Sequence, residues 1–153
     1  MKIIGWTALA ALAWPAAAGA QRSELYSCEE AGVDLTSVSV GADLGGVRSF
    51  YEGRVTLFAL DTVEPACCAS GVAVVMPAEP HGDEPVGYAC WAIKGVAAVD
   101  LRSARSSYDP RRGLTLTIPA RNYDADSGAT IPGEPIRLRI DAGRGTISDI
   151  GER

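Results

Sequence analysis

LTLTI at residues 114–118 and IRLRID at residues 136–141 decide the fold class of this chain. Leu114, Leu116 and Ile118 alternate with Thr115 and Thr117. Ile136, Leu138 and Ile140 alternate with Arg137, Arg139 and Asp141. Successive side chains of a strand point to opposite faces, so a period of two predicts strands with one apolar and one wet face. Just upstream, residues 103–108 lead into Asp109-Pro110-Arg111-Arg112-Gly113, with Pro and Gly where a tight turn needs them. Residues 124–133 read as a polar Gly/Pro loop, residues 142–145 as a turn and residues 146–150 as a closing strand. The C-terminal third is expected to be an antiparallel meander with one solvated face.

The same signal recurs toward the N terminus. Residues 36–40 alternate, and RVTLFALD at 54–61 is apolar on both sides in its middle, as in a central strand. Residues 72–76 form a short apolar run. YACWAI at 88–93 is followed by Lys94-Gly95 and a further apolar run over 96–102. An X-Gly pair between two such runs predicts a tight hairpin. No long helical periodicity is present, and at most one short helical turn is expected after Glu29. EPHGDEP at 79–85 is expected to be a mobile surface loop. The expected fold is all-β: a single small antiparallel β-sandwich or barrel of about eight strands over residues 21–153.

The first twenty residues carry an address. Met1-Lys2 is a short positive start, residues 3–14 are an apolar run, and Ala18-Gly19-Ala20 supplies the small side chains that a signal peptidase reads. Residues 1–20 are therefore expected to be a signal peptide, cleaved after Ala20, and the protein to be exported to the periplasm or the extracellular space. The apolar run is shorter than the roughly 20 residues an anchor needs. Residue 21 is Gln and offers no site for lipid attachment. Taking 20 from 153 leaves 133 residues, one domain's worth, with no later run of membrane-spanning length.

Four cysteines, Cys28, Cys67, Cys68 and Cys90, fall in the mature part. An even number in an exported chain implies disulfides. Three pairings are open. A bridge between the adjacent Cys67 and Cys68 needs a strained peptide geometry. Neighbours on an extended chain face opposite ways, so the expected pattern sends Cys67 and Cys68 to Cys28 and Cys90.

Charge is uneven. The mature chain has 19 acids and 13 bases (14 less Lys2), a net of -6. Residues 21–84 hold 11 acids against Arg22, Arg48 and Arg54, a net of -8; residues 85–153 hold 8 acids and 10 bases, a net of +2. An acidic chain repels phosphate backbones, which argues against nucleic-acid binding. Arg102, Arg105, Arg137 and Arg139 are candidates for a basic surface stripe. It could meet an acidic partner or the acidic half of the same chain, or simply be solvated.

The residues offer little for catalysis or cofactors. His81 is the sole histidine, beside Asp83 and Glu84 in the presumed loop, and paired Cys-x-x-Cys knuckles are absent. Asn122, Asp124 and Asp126 alternate as in a calcium loop, but Gly128 and Glu134 each fall one place late, so a hairpin loop explains them better. No Gly-x-Ser-x-Gly is present, and no two carboxylates single themselves out as a glycosidase pair. No metal, cofactor or catalytic residue is expected.

Tyr26-Ser27-Cys28 and Tyr88-Ala89-Cys90 both read Tyr-x-Cys, and residues 83–91 resemble the second-cysteine strand of immunoglobulin-type domains. No Trp lies between Cys28 and Cys90, and at least three strands are expected after Cys90, which that fold does not offer. Tyr26-Ser27-Cys28 and WAIKGVA at 91–97 resemble segments of bacterial lysozyme inhibitors, small exported β-barrels with a disulfide. That resemblance covers about a dozen residues, includes no diagnostic motif and establishes no membership. The expected function is a non-catalytic binding or inhibitor-type module whose partner is a protein or envelope component. Two alternatives are an accessory envelope protein that assembles through sheet edges, and an enzyme or redox protein using Cys67 and Cys68.

Overall fold

A computed structural model describes residues 24–38, 46–62, 68–79 and 87–151. The expected signal peptide, Cys67, His81 and most of the presumed 79–85 loop lie outside the described residues. Among the described residues the chain is all-β, with no α-helix and no helix long and apolar enough to cross a membrane.

Among the described residues, twelve strands form three antiparallel sheets. β1 (Glu24–Ser27), β2 (Val47–Phe50), β3 (Val55–Asp61), β4 (Ser70–Pro77) and β5 (Tyr88–Val96) make a five-stranded sheet in the order β1-β5-β4-β3-β2. β6 (Ala98–Val99), β9 (Ala120–Asp124) and β10 (Ala129–Pro132) make a three-stranded sheet in the order β10-β9-β6. β7 (Arg105–Asp109), β8 (Gly113–Ile118), β11 (Ile136–Asp141) and β12 (Thr146–Asp149) make a four-stranded sheet in the order β12-β11-β8-β7. No sheet closes into a barrel.

One apolar core joins the five-stranded and four-stranded sheets. Val55, Leu57, Val72, Val74, Met76 and Ile93 come from the first, and Leu114, Leu116, Ile118, Ile136, Leu138 and Ile140 from the second. The six from the four-stranded sheet are the residues that the period of two placed on one face. The middle of the five-stranded sheet is buried on its other face too. There Leu60, Ala73, Ala92 and Cys28 pack with Ala31, and Val33, Val38 and Phe58 close over them. RVTLFALD is thus a central strand, apolar on both sides as its sequence predicted.

The segment after β1 covers that second face. Its turns are closed by Ala31 N–H on Ser27 O (2.9 Å) and Val33 N–H on Cys28 O (2.8 Å). Lys94 on β5 donates its ammonium to Ala31 O at 2.8 Å, pinning the segment to the sheet. Residues 36–40 read as a strand; of these, 39 and 40 lie outside the described residues, and in the rest Leu35–Ser37 form a single 3-10 turn and Val38 only bridges to Leu60. Asp34 is the reason: its carboxylate accepts from Thr36 N–H (2.8 Å) and Ser37 N–H (3.1 Å), the bonds of an N-cap.

Three further expectations are corrected. Lys94-Gly95 does not turn a hairpin. β5 runs on to Val96, and the register against β4 slips between Ser70↔Val96 and Gly71↔Lys94. Gly95 is the extra residue of a β-bulge, its φ of 97° reachable without steric cost only by glycine. Residues 124–133 are not a loop but the tip and second strand of the β9–β10 hairpin. The strand count exceeds eight because β1, β2, β9 and β10 are each too short for their alternation to be read.

The turn carboxylates share one chemistry. Asp124 is held below the ordinary aspartate range first by the Ser127 hydroxyl, Asp34 by that of Thr36, and Asp100 by that of Ser103. A lowered folded value means the ionised form is favoured by folding. Each carboxylate's contribution is therefore present above the unfolded aspartate value and is lost as pH falls through the folded one. NMR titration should find all three ionising below the unfolded value, with Thr36 and Ser127 signals moving in step with Asp34 and Asp124. A midpoint at or above the unfolded value would remove the capping role.

Candidate interaction face

The outer face of the four-stranded sheet is built by alternation and held by its turns. Asp109 accepts from Arg111 N–H (2.8 Å) and Arg112 N–H (3.1 Å), closing the β7–β8 turn. Asp141 does the same for Gly143 (3.0 Å) and Arg144 (3.1 Å) between β11 and β12. With registers fixed at both ends, the polar residues line up in rows. Arg105 stands opposite Thr117, and Thr117 opposite Arg137. In the next row Ser107 stands opposite Thr115, Thr115 opposite Arg139, and Arg139 opposite Ser148.

Three of the four arginines singled out in the sequence therefore share one sheet face. Arg105 and Arg137 are exposed and Arg139 is half-buried. Among the described residues, none of the three guanidinium groups makes a hydrogen bond or ion pair; the nearby ion pair joins Arg144 to Asp141 at 3.7 Å. Arg139 Nε is closed off from solvent and has no hydrogen-bond partner. Intramolecular neutralisation is one of the readings left open by the sequence; among the described residues, no carboxylate of the acidic half neutralises these three. Glu24, Glu29, Glu30 and Asp34 are exposed at β1 and in the segment that covers the far side of the five-stranded sheet, across the molecule from the arginines.

Arg102 stands apart, in the turn ahead of β7, where its carbonyl and that of Leu101 accept from the Arg48 guanidinium. That arm ties β2 to the four-stranded sheet. A second tie, which sequence reading missed, stacks Tyr51 on Tyr108 with ring centres 5.7 Å apart. Tyr51 and Glu52 both take left-handed backbone (φ 53° and 57°), uncommon for residues other than glycine. Nothing local in YEGR announces a ring contact with a residue more than fifty positions away.

The cysteines sit elsewhere. Cys28 is bonded to Cys90, with Cα atoms 5.3 Å apart. The expected cross-pairing of these two with Cys67 and Cys68 is therefore wrong. The reason is register: Ser27 pairs with Trp91, so the next residue, Cys28, falls opposite Cys90, and its N–H donates to Cys90 O at 3.0 Å. Cys68 is disulfide-bonded, and no described cysteine is free. The bridge joins neighbouring strands of one sheet, unlike the inter-sheet bridge of immunoglobulin domains, and Tyr88 is 77% exposed rather than packed in a corner. Such a disulfide is compatible with an exported protein.

Asp124 and Asp126, the candidate calcium oxygens, lie at the β9–β10 tip, where Asp124 accepts from Asp126 N–H (3.1 Å) and the Ser127 hydroxyl. Among the described residues no group of three or more His, Cys, Asp or Glu side chains is placed to hold a metal. No protein-family model, curated protein or solved structure matches the chain.

Proposed function

We propose that this chain is an exported, sandwich-like binding module that does no chemistry of its own and meets an acidic partner through the outer face of its four-stranded sheet. The observation that carries this reading is the row Arg105–Thr117–Arg137 with Arg139 beside it: three guanidinium groups that no described residue pairs, in a chain of net negative charge. A sheet face holds side chains at fixed spacing, and hydroxyls between the arginines add donors that need little reordering on binding. Arginine suits this role because its planar fork grips carboxylates in pairs. The partner class is an acidic protein or another anionic component of the envelope. The disulfide framework, and an N-terminal segment that reads as a secretion signal, support the location.

The test uses poly-glutamate as the acidic probe, immobilised and titrated with the full mature chain. The wild-type chain should bind, and binding should weaken as salt rises. Arg137→Glu with Arg139→Glu should weaken it at least about tenfold, the scale expected for reversing two interfacial charges, with an unchanged melting midpoint. Binding that ignores the double substitution, or no binding at low salt, would overturn the proposal.

A further inference from the structure

β7 ends the four-stranded sheet, and all five of its residues, RSSYD, are exposed. Edge strands usually carry a guard: a proline, a lysine, a bulge, or cover from another segment. The other edges have one. β1 and β12 lie against each other, β6 is two residues long, and β10 ends in Pro132 with its Thr130 carbonyl taken by Arg121 at 2.6 Å. β2 is tied down by Arg48, which reaches the Leu101 carbonyl at 2.9 Å. β7 has neither proline nor lysine, and its regular register with β8 shows no bulge; Tyr51 of the β2–β3 turn stacks on its Tyr108 ring, yet all five of its residues stay exposed.

The sequence of β7 is complementary to itself. Laid antiparallel against a second copy about a two-fold axis through Ser107, Arg105 falls opposite Asp109 of the other chain, twice over. Ser106 falls opposite Tyr108, and Ser107 opposite its own counterpart. The arrangement works whichever alternate residues of β7 aim their N–H and C=O groups outward, because residues two apart share that direction. Arg105 and Asp109 lie on the same sheet face, so the paired charges meet side by side. Among the described residues Arg105 makes no hydrogen bond or ion pair.

From this we infer that β7 is a self-association edge and that its occupant is the β7 strand of a second copy. The two four-stranded sheets then run on as one eight-stranded sheet. The two-fold stands perpendicular to that sheet, so the Arg137 and Arg139 of both copies lie on one side, doubling the basic face. An interface of five residues a side is small, so association is weak and concentration-dependent. The inference does not depend on the identity of any acidic partner.

Sedimentation of the mature chain over a wide concentration range tests it. The wild-type chain is expected to dimerise reversibly. Arg105→Asp sets like charges opposite each other at both ends of the interface and should weaken association about tenfold or more. Asp109→Arg alone should do the same, while a mixture of the two variants should restore a heterodimer, which a purely structural role would not produce. Asp109 also closes its turn, so Ser107→Cys provides a second route. Mild oxidation should link it as a dimer, with Ser148→Cys on β12 staying monomeric. A wild-type chain that stays monomeric throughout, association unchanged by Arg105→Asp, or equal cross-linking of the two cysteine variants would each overturn the inference.

Discussion

Replacing Cys28 and Cys90 together by alanine is expected to lower the unfolding free energy by about 4 kcal/mol and the melting midpoint by about 15 °C. The bridge closes a sequence separation of 62 residues. In the chain-entropy account, the denatured chain regains that loop's freedom when the bond is lost, and a loop of this length is worth about 4 kcal/mol. The native state gives little back. Cys28 is buried and Cys90 packs beside it against Leu60, Ala73 and Ala92, so alanine leaves only a small void. β1 is an outer strand of four residues, and the segment that follows it covers the second face of the sheet. Without the bridge that segment is held to the sheet by Lys94 on Ala31 O, by Cys28 N–H on Cys90 O, by the Val38–Leu60 bridge and by its apolar contacts. Hydrogen exchange should therefore show residues 24–38 losing protection first, with β8 and β11 least affected. Denaturant titration of the variant and wild-type chains measures the main effect. A loss below about 1 kcal/mol would mean the denatured chain is already constrained there, leaving little entropy for the bridge to remove.

The four-stranded sheet was legible because its signal is local. Leu114–Ile118 and Ile136–Ile140 alternate cleanly, and the Asp109 and Asp141 turns state their chemistry within five residues. The same alternation placed Arg137 and Arg139 outward, and the turn at Pro110 brought Arg105 into their sheet. What the sequence withheld was pairing at a distance. Lys94-Gly95 offers both a hairpin and a bulge, and only the match of β4 to β5 on either side of Gly95 decides between them. Thr36–Val40 alternates like a strand, yet Asp34 supplies a cap that bends the chain first. Cysteine pairing failed for a related reason. Facing directions at Cys67 and Cys68 are a matter of local geometry, whereas the Cys28–Cys90 bond is fixed by the register of β1 on β5. That no described carboxylate pairs with these three arginines is also a non-local fact, since it depends on which face each carboxylate reaches.

Gly145→Ala is expected to destabilise the chain by about 3 kcal/mol, while Gly128→Ala at a matching backbone angle should cost only about 1 kcal/mol. Both glycines close hairpin turns with left-handed backbone, at φ 67° and 68°. A side chain at either position carries the same conformational penalty, so the difference isolates packing. At Gly128 the nearest atom to an added Cβ is the Tyr123 hydroxyl, 3.8 Å away, an ordinary contact. At Gly145 the added Cβ would come within 2.2 Å of Glu79 N and 2.4 Å of the Ala78 carbonyl carbon. Those are backbone atoms at the end of β4 and cannot swing aside as a flexible side chain would. The β11–β12 turn thus seats directly on the backbone just past the end of β4, and the glycine is the condition of that approach. Relief requires the two sheets to part at this end, where Ala142 and Ile147 pack against the shared core. Paired denaturant titrations of the two variants decide the point. Equal losses would mean that the turn does not hold the sheets together; a loss confined to Gly145→Ala, with weakened protection in β12 and at the end of β4, would locate the seam there.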